Sequence, residues 1–212
     1  MGEDWRDACN LNPAQVYPAA VELFSQGSPA REVYLIEFGL VKLFRLGQDG
    51  QELIVGLRSA GWILGAASVI IHKSHPVTAV TLTPCRIRRI PAHTFLTLLN
   101  SDAQLSWHLH QEHCQEIYNQ FSQLVGLGCM SARHRLEHLL WQLTTALEPD
   151  KSQKEVRLEL PLKHWEIAEL IAITPQYLSR VLKQMQEEGV INREKRGIVV
   201  SSPHKLWHPV DF

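Results

Sequence analysis

The sequence predicts an α+β protein with three parts: an N-terminal antiparallel β-sheet sandwich or barrel, a long central helix, and a C-terminal domain of helices and a β-hairpin. Three patterns carry this prediction. Short apolar segments separated by turn residues fill residues 33–90, residues 103–125 contain neither proline nor glycine, and two helical segments followed by two strand segments fill Lys163–Val200.

The composition is that of a globular chain. It has 212 residues, 45% of them hydrophobic, with 21 Lys and Arg against 22 Asp and Glu, so it can bury a core and is not disordered. A net charge of -1 neither indicates nor excludes nucleic acid. The longest weakly polar run, Ala60–Ile71, is shorter than the roughly 20 residues that span a bilayer. The first five residues are acidic and polar, unlike a secretory signal, and predict a cytoplasmic protein.

The cysteines do not indicate a structural metal site. Cys9, Cys85, Cys114 and Cys129 form no C-x-x-C pair and belong to no short-spaced Cys/His quartet of the type that holds zinc. Reduced thiols are therefore expected, and the sequence assigns no metal-binding residue.

Four apolar segments predict the strands of the N-terminal part: Val33–Ile36, Leu40–Phe44, Leu53–Leu57 and Cys85–Ile90. Gly39 separates the first two, and Gly50 supplies the positive φ of a hairpin turn between the second and third. The pattern is typical of an antiparallel sandwich or barrel, whose interior either holds a small ligand or is filled with side chains.

A short helix, Ala92–Leu99, is expected after Pro91, and a long one from Asp102. Six residues of the long helix recur at spacings of 3, 4, 3, 4 and 3, which is a heptad seam: Trp107, His110, Cys114, Ile117, Phe121 and Leu124. A second stripe should face the β domain: Leu105, Leu109, Tyr118 and Val125. Two faces to bury predict a homodimer; the alternative is the core helix of a monomer.

A hinge is expected where Gly126, Leu127 and Gly128 break the long helix. Ser131 should then cap a helix that extends through Leu147, since its hydroxyl can accept a hydrogen bond from an unpaired backbone N–H. Val156–Leu160 alternates like an edge strand.

The C-terminal pattern is that of a winged helix-turn-helix. It contains the helix Lys163–Ile171, a turn at Ala172 and Ile173, the helix Thr174–Glu188, and the strands Val190–Arg193 and Ile198–Val200. Small Ala168 lets the helices cross closely, and the shared core is predicted to contain Ile167, Ile171, Ile173, Leu178, Val181 and Leu182. Thr174 caps the second helix and Pro175 takes its first position.

The outward side of that second helix is predicted to bind DNA. It presents Thr174, Gln176, Tyr177, Ser179, Arg180, Lys183 and Gln184. An arginine fork matches O6 and N7 of guanine, and a glutamine amide pairs with N6 and N7 of adenine. Lys195 and Arg196 of the wing, with the free N–H groups at the helix start, would hold phosphates. The alternative is a solvated helix face.

These segments carry a family resemblance. Glu166–Ile171 and Thr174–Leu182 resemble the cyclic-AMP receptor protein and fumarate-nitrate regulator (CRP/FNR) family, Tyr34–Leu43 is similar to its second β-roll strand pair, and Ala60–Gly65 looks like the start of its phosphate-binding cassette. The resemblance implies a transcription regulator with a β-roll (cyclic nucleotide-binding-like jelly roll), a dimerisation helix, a DNA-binding domain and RNA polymerase as a partner. It also implies base contacts at the positions of Gln176, Ser179 and Arg180.

The chain departs from the family pattern in its cassette. Nucleotide-binding members carry Glu after the cassette glycine and an Arg-Ser or Arg-Thr further on, whereas this chain has Ala66 after Gly65 and His75, Pro76 or Val77 at the Arg position. We therefore assign Gly65, Ala66 and His75 to an effector pocket without expecting cyclic AMP or any other cofactor. Cys9 is the only cysteine where iron-sulfur members have a cluster of them, so an iron-sulfur centre is not expected either.

Two further departures lie in the helix-turn-helix. Gln176 stands where the recognition helix often starts with Glu, which removes a preference for the cytosine amino group. Ala172 takes a turn position that is frequently Gly.

Other functions were weighed against this interpretation. His110 and Cys114, at i and i+4, could share a metal or place thiols across the dimer seam, but the simpler interpretation is that they pack in a mixed seam. His72 and His75 could bind heme. One pair or the other would make the chain a metal, redox or heme sensor of the same family. A cupin-like jelly-roll metalloenzyme is evoked by His108-x-His110, yet the pair lies in a helical heptad rather than on a strand.

The sequence thus predicts a non-enzymatic, homodimeric regulator of double-stranded DNA. Its predicted domains are a β-roll sensory domain at residues 1–100, a dimerisation helix and hinge at 101–130, and a winged helix-turn-helix DNA-binding domain at 131–212.

Overall fold

The computed structural model describes residues 13–147, 156–158, 162–194, 197–201, 203 and 206. The chain forms two compact units that divide between Asn119 and Gln120. Among the described residues, no helix has the length and apolar character needed to cross a membrane.

Unit 1 is built on two four-stranded antiparallel sheets. The strands are β1 (Gln15–Tyr17), β2 (Glu22–Phe24), β3 (Glu32–Phe38), β4 (Val41–Leu46), β5 (Glu52–Arg58), β6 (Ile63–Leu64), β7 (Thr78–Thr81) and β8 (Cys85–Pro91). The strand orders are β1-β8-β3-β6 and β2-β7-β4-β5. The four predicted segments are β3, β4, β5 and β8, whereas β1, β2, β6 and β7 have only two to four residues each and show no period of their own.

Strand β3 is buried on both faces, and its alternate residues enter two different cores. Tyr34 and Ile36 join a cluster to which both sheets contribute, including Phe24 of β2 and Ile87 of β8. The two sheets therefore pack side chains into one shared core. Val33 and Leu35 point the other way, into a cluster with the helices.

In the described part of the chain, three helices belong to this layer: α1 (Ala66–Ile70), α2 (Ala92–Ser101) and α3 (Ala103–Cys129). Phe95 is buried in the helix-side cluster, and so are Leu105 and Leu109, the first two residues of the predicted stripe. Asp102 begins α3, since its Oδ1 accepts hydrogen bonds from the backbone N–H groups of Gln104 and Leu105 at 2.9 and 3.1 Å.

Two predictions about α3 are wrong. Tyr118 and Val125, expected to face the β domain, are about half exposed. Gly126, Leu127 and Gly128 do not break the helix, which continues through Cys129. A glycine weakens a helix by only about 1 kcal/mol, and the i to i−4 bonding persists here, with Met130 N donating to Gly126 O at 2.9 Å. The interruption comes at Met130 and Ser131.

Unit 2 contains the helices α4 (Ala132–Leu147), α5 (His164–Leu170) and α6 (Pro175–Glu187). A three-stranded antiparallel sheet, ordered β10-β11-β9, is formed by β9 (Val156–Leu158), β10 (Ile191–Glu194) and β11 (Gly197–Val200). Ser131 caps α4 as predicted, because its Oγ accepts from His134 N at 3.2 Å. The strand β9 lies at the sheet edge, and the last two residues predicted for it are outside the described ranges.

Candidate nucleic-acid interface

Helix α6 has one buried side and one exposed side. Thr174 begins it by accepting a hydrogen bond from Tyr177 N on its side-chain oxygen at 3.2 Å, and Pro175 follows at the first helical position. The buried side contains Leu178, Val181, Leu182 and Met185. Met185 was missing from the predicted core, although its spacing of four from Val181 and three from Leu182 carries the same helical signal.

The exposed side of α6 brings most of the predicted DNA-binding residues together. Gln176, Tyr177, Ser179, Arg180 and Lys183 are all exposed on this one helix, and the cap Thr174 is exposed beside them. Gln176 and Arg180 are one turn apart, so both can reach the floor of one groove. Lys195 and Arg196, the predicted wing residues, lie outside the described residues.

Two polar side chains on this face already have intrahelical partners. Ser179 Oγ donates to the carbonyl oxygen of Pro175 at 3.1 Å. Lys183 Nζ lies 3.7 Å from Glu187 Oε1, and both side chains are largely exposed, so this ion pair contributes at most about 1 kcal/mol and leaves the ammonium free to move to a phosphate.

The turn between α5 and α6 sets the position of the exposed face. Its hydrogen bonds run from Ala172 N to Glu169 O and from Ile173 N to Ala168 O, both at 2.9 Å, which is the double bond pattern of a Schellman cap. Ala172 has a φ of +52°, the left-handed conformation that glycine adopts without strain. Ala172, which replaces the glycine frequent at this turn position, thus adopts the positive φ that favours glycine.

Arg135 of α4 contacts this turn from outside, an interaction that sequence analysis did not predict. Its Nε donates to Ile171 O at 2.8 Å, one terminal nitrogen donates to Met130 O at 2.8 Å, and the other donates to Ala172 O at 3.5 Å. One guanidinium thus joins the turn to the chain just after the long helix. No local pattern could have shown this, since Arg135 and Ile171 are 36 residues apart.

A second arginine of α4 holds the far end of α6. Arg133 Nε donates to Glu137 Oε1 at 2.9 Å, and its NH1 lies 2.5 Å from Glu188 Oε2, where α6 ends. The guanidinium lowers the pKa of the Glu188 carboxyl by hydrogen bonding. Helix α4 therefore contacts α6 in two places: at the C-terminal end of α6 through Arg133, and at the turn that precedes α6 through Arg135.

The predicted effector-pocket residues come together in unit 1. Gly65 has a φ of +82° and precedes α1, Ala66 is buried, and His75 is only 3% exposed. The His75 ring stacks on Phe24 with centroids 3.9 Å apart and an interplanar angle of 17°. A Cβ on Gly65 would lie 3.0 Å from His75 Cε1, so the imidazole is packed directly against the cassette glycine.

His75 is held as a neutral group. Burial lowers the pKa of its imidazole below the ordinary value of 6.5. Its backbone N–H donates to Ser28 O at 2.9 Å, while its side-chain Nδ1 has no hydrogen-bond partner among the described residues.

A buried arginine joins strand β5 to helix α3, and sequence analysis missed it. Arg58 lies over the ring of Trp62 with its guanidinium carbon 4.7 Å from the centroid, donates to its neighbour Leu57 O at 2.8 Å, and pairs with Glu116 of α3. The side chains of Arg58 and Glu116 are largely buried, so the pair is well shielded from solvent.

The predicted dimer seam is exposed in the single chain. Large apolar side chains along α3 are more than half exposed, including Trp107, Ile117, Phe121 at 63% and Leu124 at 66%. His110 and Cys114 are exposed between them, with Cys114 Sγ 3.8 Å from His110 Nε2. The described residues contain no cluster of three or more His, Cys, Asp or Glu able to hold a metal ion.

Comparison with known proteins gives two family matches. Residues 14–102 match the cyclic nucleotide-binding domain, and residues 134–208 match the Crp-like helix-turn-helix domain. A "Probable transcriptional activator" of Rhizobium leguminosarum bv. viciae is 27% identical over 189 residues, which are 89% of this chain and 77% of that protein. The cAMP-activated global transcriptional regulator CRP of Haemophilus influenzae is 22% identical over 193 residues, 91% of this chain and 84% of that protein.

Solved structures show the same fold. FixK2 from Bradyrhizobium japonicum superposes with a TM-score of 0.78 and 21% identity, covering 94% of this chain and 99% of that one. The c-di-GMP responsive global regulator CLP of Xanthomonas campestris gives a TM-score of 0.74 and 20% identity, covering 95% and 99%. Sheets, long helix and helix-turn-helix are therefore shared across nearly the whole chain.

Proposed function

The chain belongs to the CRP/FNR family of transcription regulators, and from this premise we propose that it binds an inverted repeat in double-stranded DNA as a homodimer. Each copy of α6 enters the major groove of one half-site, and the two half-sites lie roughly 34 Å apart, one helical turn of DNA. The protein acts in the cytoplasm, with RNA polymerase as the partner that its family resemblance implies.

The observation that carries this proposal is the two-sided helix α6. Its apolar side is fixed in the core of unit 2, and its other side exposes Gln176, Ser179 and Arg180 for base edges. In this proposal the backbone N–H of Gln176 and the side chains of Tyr177 and Lys183 contact phosphates and set the register. Lys195 and Arg196 complete the phosphate contacts in this proposal.

The exposed face of α3 supports the homodimer. Trp107, Ile117, Phe121 and Leu124 recur at heptad spacing and are each more than half exposed in one copy. Exposed apolar side chains repeated along one helix face are normally covered, and in this proposal a second copy of the same helix covers them symmetrically.

We further propose that the β-roll does not bind a cyclic nucleotide. A cyclic phosphate needs a cation at the cassette, and here the buried neutral His75 packs against Gly65 while buried Ala66 offers no polar group. We do not extend the proposal to heme, because the His75 ring is packed on Phe24 and His72 is exposed. The regulator then responds to another signal or to its own abundance.

We propose that a signal in the β-roll reaches the DNA-binding unit through α3, the helix that runs from unit 1 into unit 2. The Arg58–Glu116 pair gives β5 a shielded electrostatic contact with that helix, so a change at β5 alters the packing of the two copies of α3. Met130 and Ser131, where α3 ends, are then the pivot for the DNA-binding units.

The test of DNA binding is selection from random duplex DNA by the purified full chain, without added ligand, followed by sequencing. We expect an inverted repeat to be enriched. Arg180→Ala removes one base contact from each half-site, about 1–3 kcal/mol each, so affinity for the selected site should fall about 30-fold to 10⁴-fold. Arg45→Ala, an exposed arginine of β4, is the matched control. Unchanged site preference in the Arg180 variant would remove this residue from base reading.

The test of the dimer is the mass in solution. Phe121→Asp places two carboxylates opposite each other in the seam and should yield monomers by light scattering. Gln123→Asp, an exposed position off the seam, adds the same charge and should stay dimeric. A dimeric mass for Phe121→Asp contradicts the proposed seam.

A further inference from the structure

We propose that the dimer seam holds one divalent metal ion of the zinc class, bound by His110 and Cys114 of both copies of α3. This inference rests on the proposed homodimer, since each copy supplies only half of the ligands. The site would sit between the exposed apolar residues Trp107 and Ile117.

The geometry within one copy already suits a shared metal. His110 and Cys114 are one helical turn apart, and Cys114 Sγ lies 3.8 Å from His110 Nε2. Zinc bonds of about 2.3 Å to sulfur and 2.0–2.1 Å to nitrogen, at a tetrahedral angle, separate the two ligand atoms by about 3.6 Å. A shift of a few tenths of an ångström therefore brings both atoms onto one ion, with no change in the helix.

The second copy completes the coordination shell. His110 and Cys114 occupy two adjacent layers of the heptad seam, and in a parallel pairing each layer brings together the same residue from both copies. Two imidazoles and two thiols then face one another, which is the Cys₂His₂ set of structural zinc sites. A single chain cannot form this set, in keeping with the absence of any three-ligand cluster in its described part.

The charge balance favours a seam with a bound metal ion over a seam in which the His110 and Cys114 side chains are buried without one. The seam residues that flank the site, Trp107 and Ile117, are apolar, so dimerisation removes His110 and Cys114 from water. When M²⁺ binds, two thiols release two protons and two metal–sulfur bonds form, while the neutral imidazoles give two metal–nitrogen bonds. Two thiolates cancel the charge of the ion, leaving a neutral site in the apolar seam.

The experiment uses the full chain, stripped of metal with a chelator and kept reduced with a phosphine. It is titrated with Zn²⁺ and separately with Co²⁺, whose visible bands report a tetrahedral site and whose near-ultraviolet band reports bonds to thiolate. We expect one ion per two chains, both cobalt signatures, and release of two protons per ion.

Variants assign the ligands. Loss of a group that only hydrogen-bonds to a metal ligand lowers metal affinity about 10- to 100-fold. Cys114→Ser and His110→Ala each remove two of the four ligands, so each should lower the affinity at least about 100-fold. Cys129→Ser, a cysteine of the same helix that lies off the seam and is exposed, should bind like the parent. Binding that survives Cys114→Ser would overturn the proposal.

Light scattering on the same samples separates two failures. A dimer that binds no ion under reducing conditions overturns the metal site and leaves the proposed regulator intact. The same conclusion holds if such a dimer forms a Cys114 disulfide in air. A monomer at every concentration overturns the dimer and the metal site together.

Discussion

Replacing Arg135 with methionine removes the guanidinium that joins the helix-turn-helix to the end of α3 while keeping most of the apolar stem. Three backbone carbonyls lose a donor: those of Met130 and Ile171, bonded at 2.8 Å, and that of Ala172 at 3.5 Å. A hydrogen bond from a charged group contributes about 1.5–3 kcal/mol, so the two short bonds would contribute about 3–6 kcal/mol if fully buried. Because Arg135 is partly exposed and water can replace it, we expect about 2–4 kcal/mol.

The assay is hydrogen–deuterium exchange at the amides of Ala172 and Ile173, whose N–H groups form the turn. A loss of 2–4 kcal/mol should speed their exchange about 30-fold to about 10³-fold. The control is Arg157→Met, the same chemical change at an arginine whose pairing with Glu194 is exposed and contributes at most about 1 kcal/mol. Equal exchange rates in the two variants would refute the assignment of Arg135 as the residue that positions the turn.

Three further perturbations test the backbone and the pocket. Ala172→Gly should stabilise unit 2 by about 0.5–1 kcal/mol, because relief of the positive φ outweighs the added freedom of the unfolded chain; a lower melting temperature would contradict this. Gly65→Ala should lower the free energy of unfolding more than Gly27→Ala does, because both glycines have φ near +80° but only Gly65 has atoms within 4 Å of the added Cβ. Equal losses in urea unfolding would mean that the backbone conformation alone accounts for the effect. Burial lowers the pKa of His75 below 6.5, so its contribution to stability is complete above pH 6.5 and is lost as the pH falls toward the lowered pKa. His75→Phe should reduce the loss of stability at low pH, whereas His93→Gln should not. If the free energy of unfolding of the His75 variant depends on pH as in the parent, another group causes the loss.

Elements with a strong period or a distinctive cap were predictable. The segments that became β3, β4, β5 and β8 carry enough alternating apolar residues to be recognised, and the capped start of α6 fixed which residues that helix exposes. The glycines near the end of α3 misled because a helix tolerates them when its hydrogen bonds persist. The long-range contacts of Arg135 and Arg58 could not be predicted, since each joins residues more than 30 positions apart through a side chain with no local signature.

The hydroxyl of Ser179 has a consequence for the composition of the operator. Its proton is donated to the carbonyl of Pro175, so the oxygen presents only lone pairs to the outside of α6. In the major groove, lone pairs are matched by the amino groups of cytosine and adenine, and they are opposed by O6 and N7 of guanine and O4 of thymine. While this bond is kept, Ser179 accepts a hydrogen bond from a base in the proposed complex, whereas Arg180 donates to one, so the bases beneath the two residues should differ in hydrogen-bonding polarity.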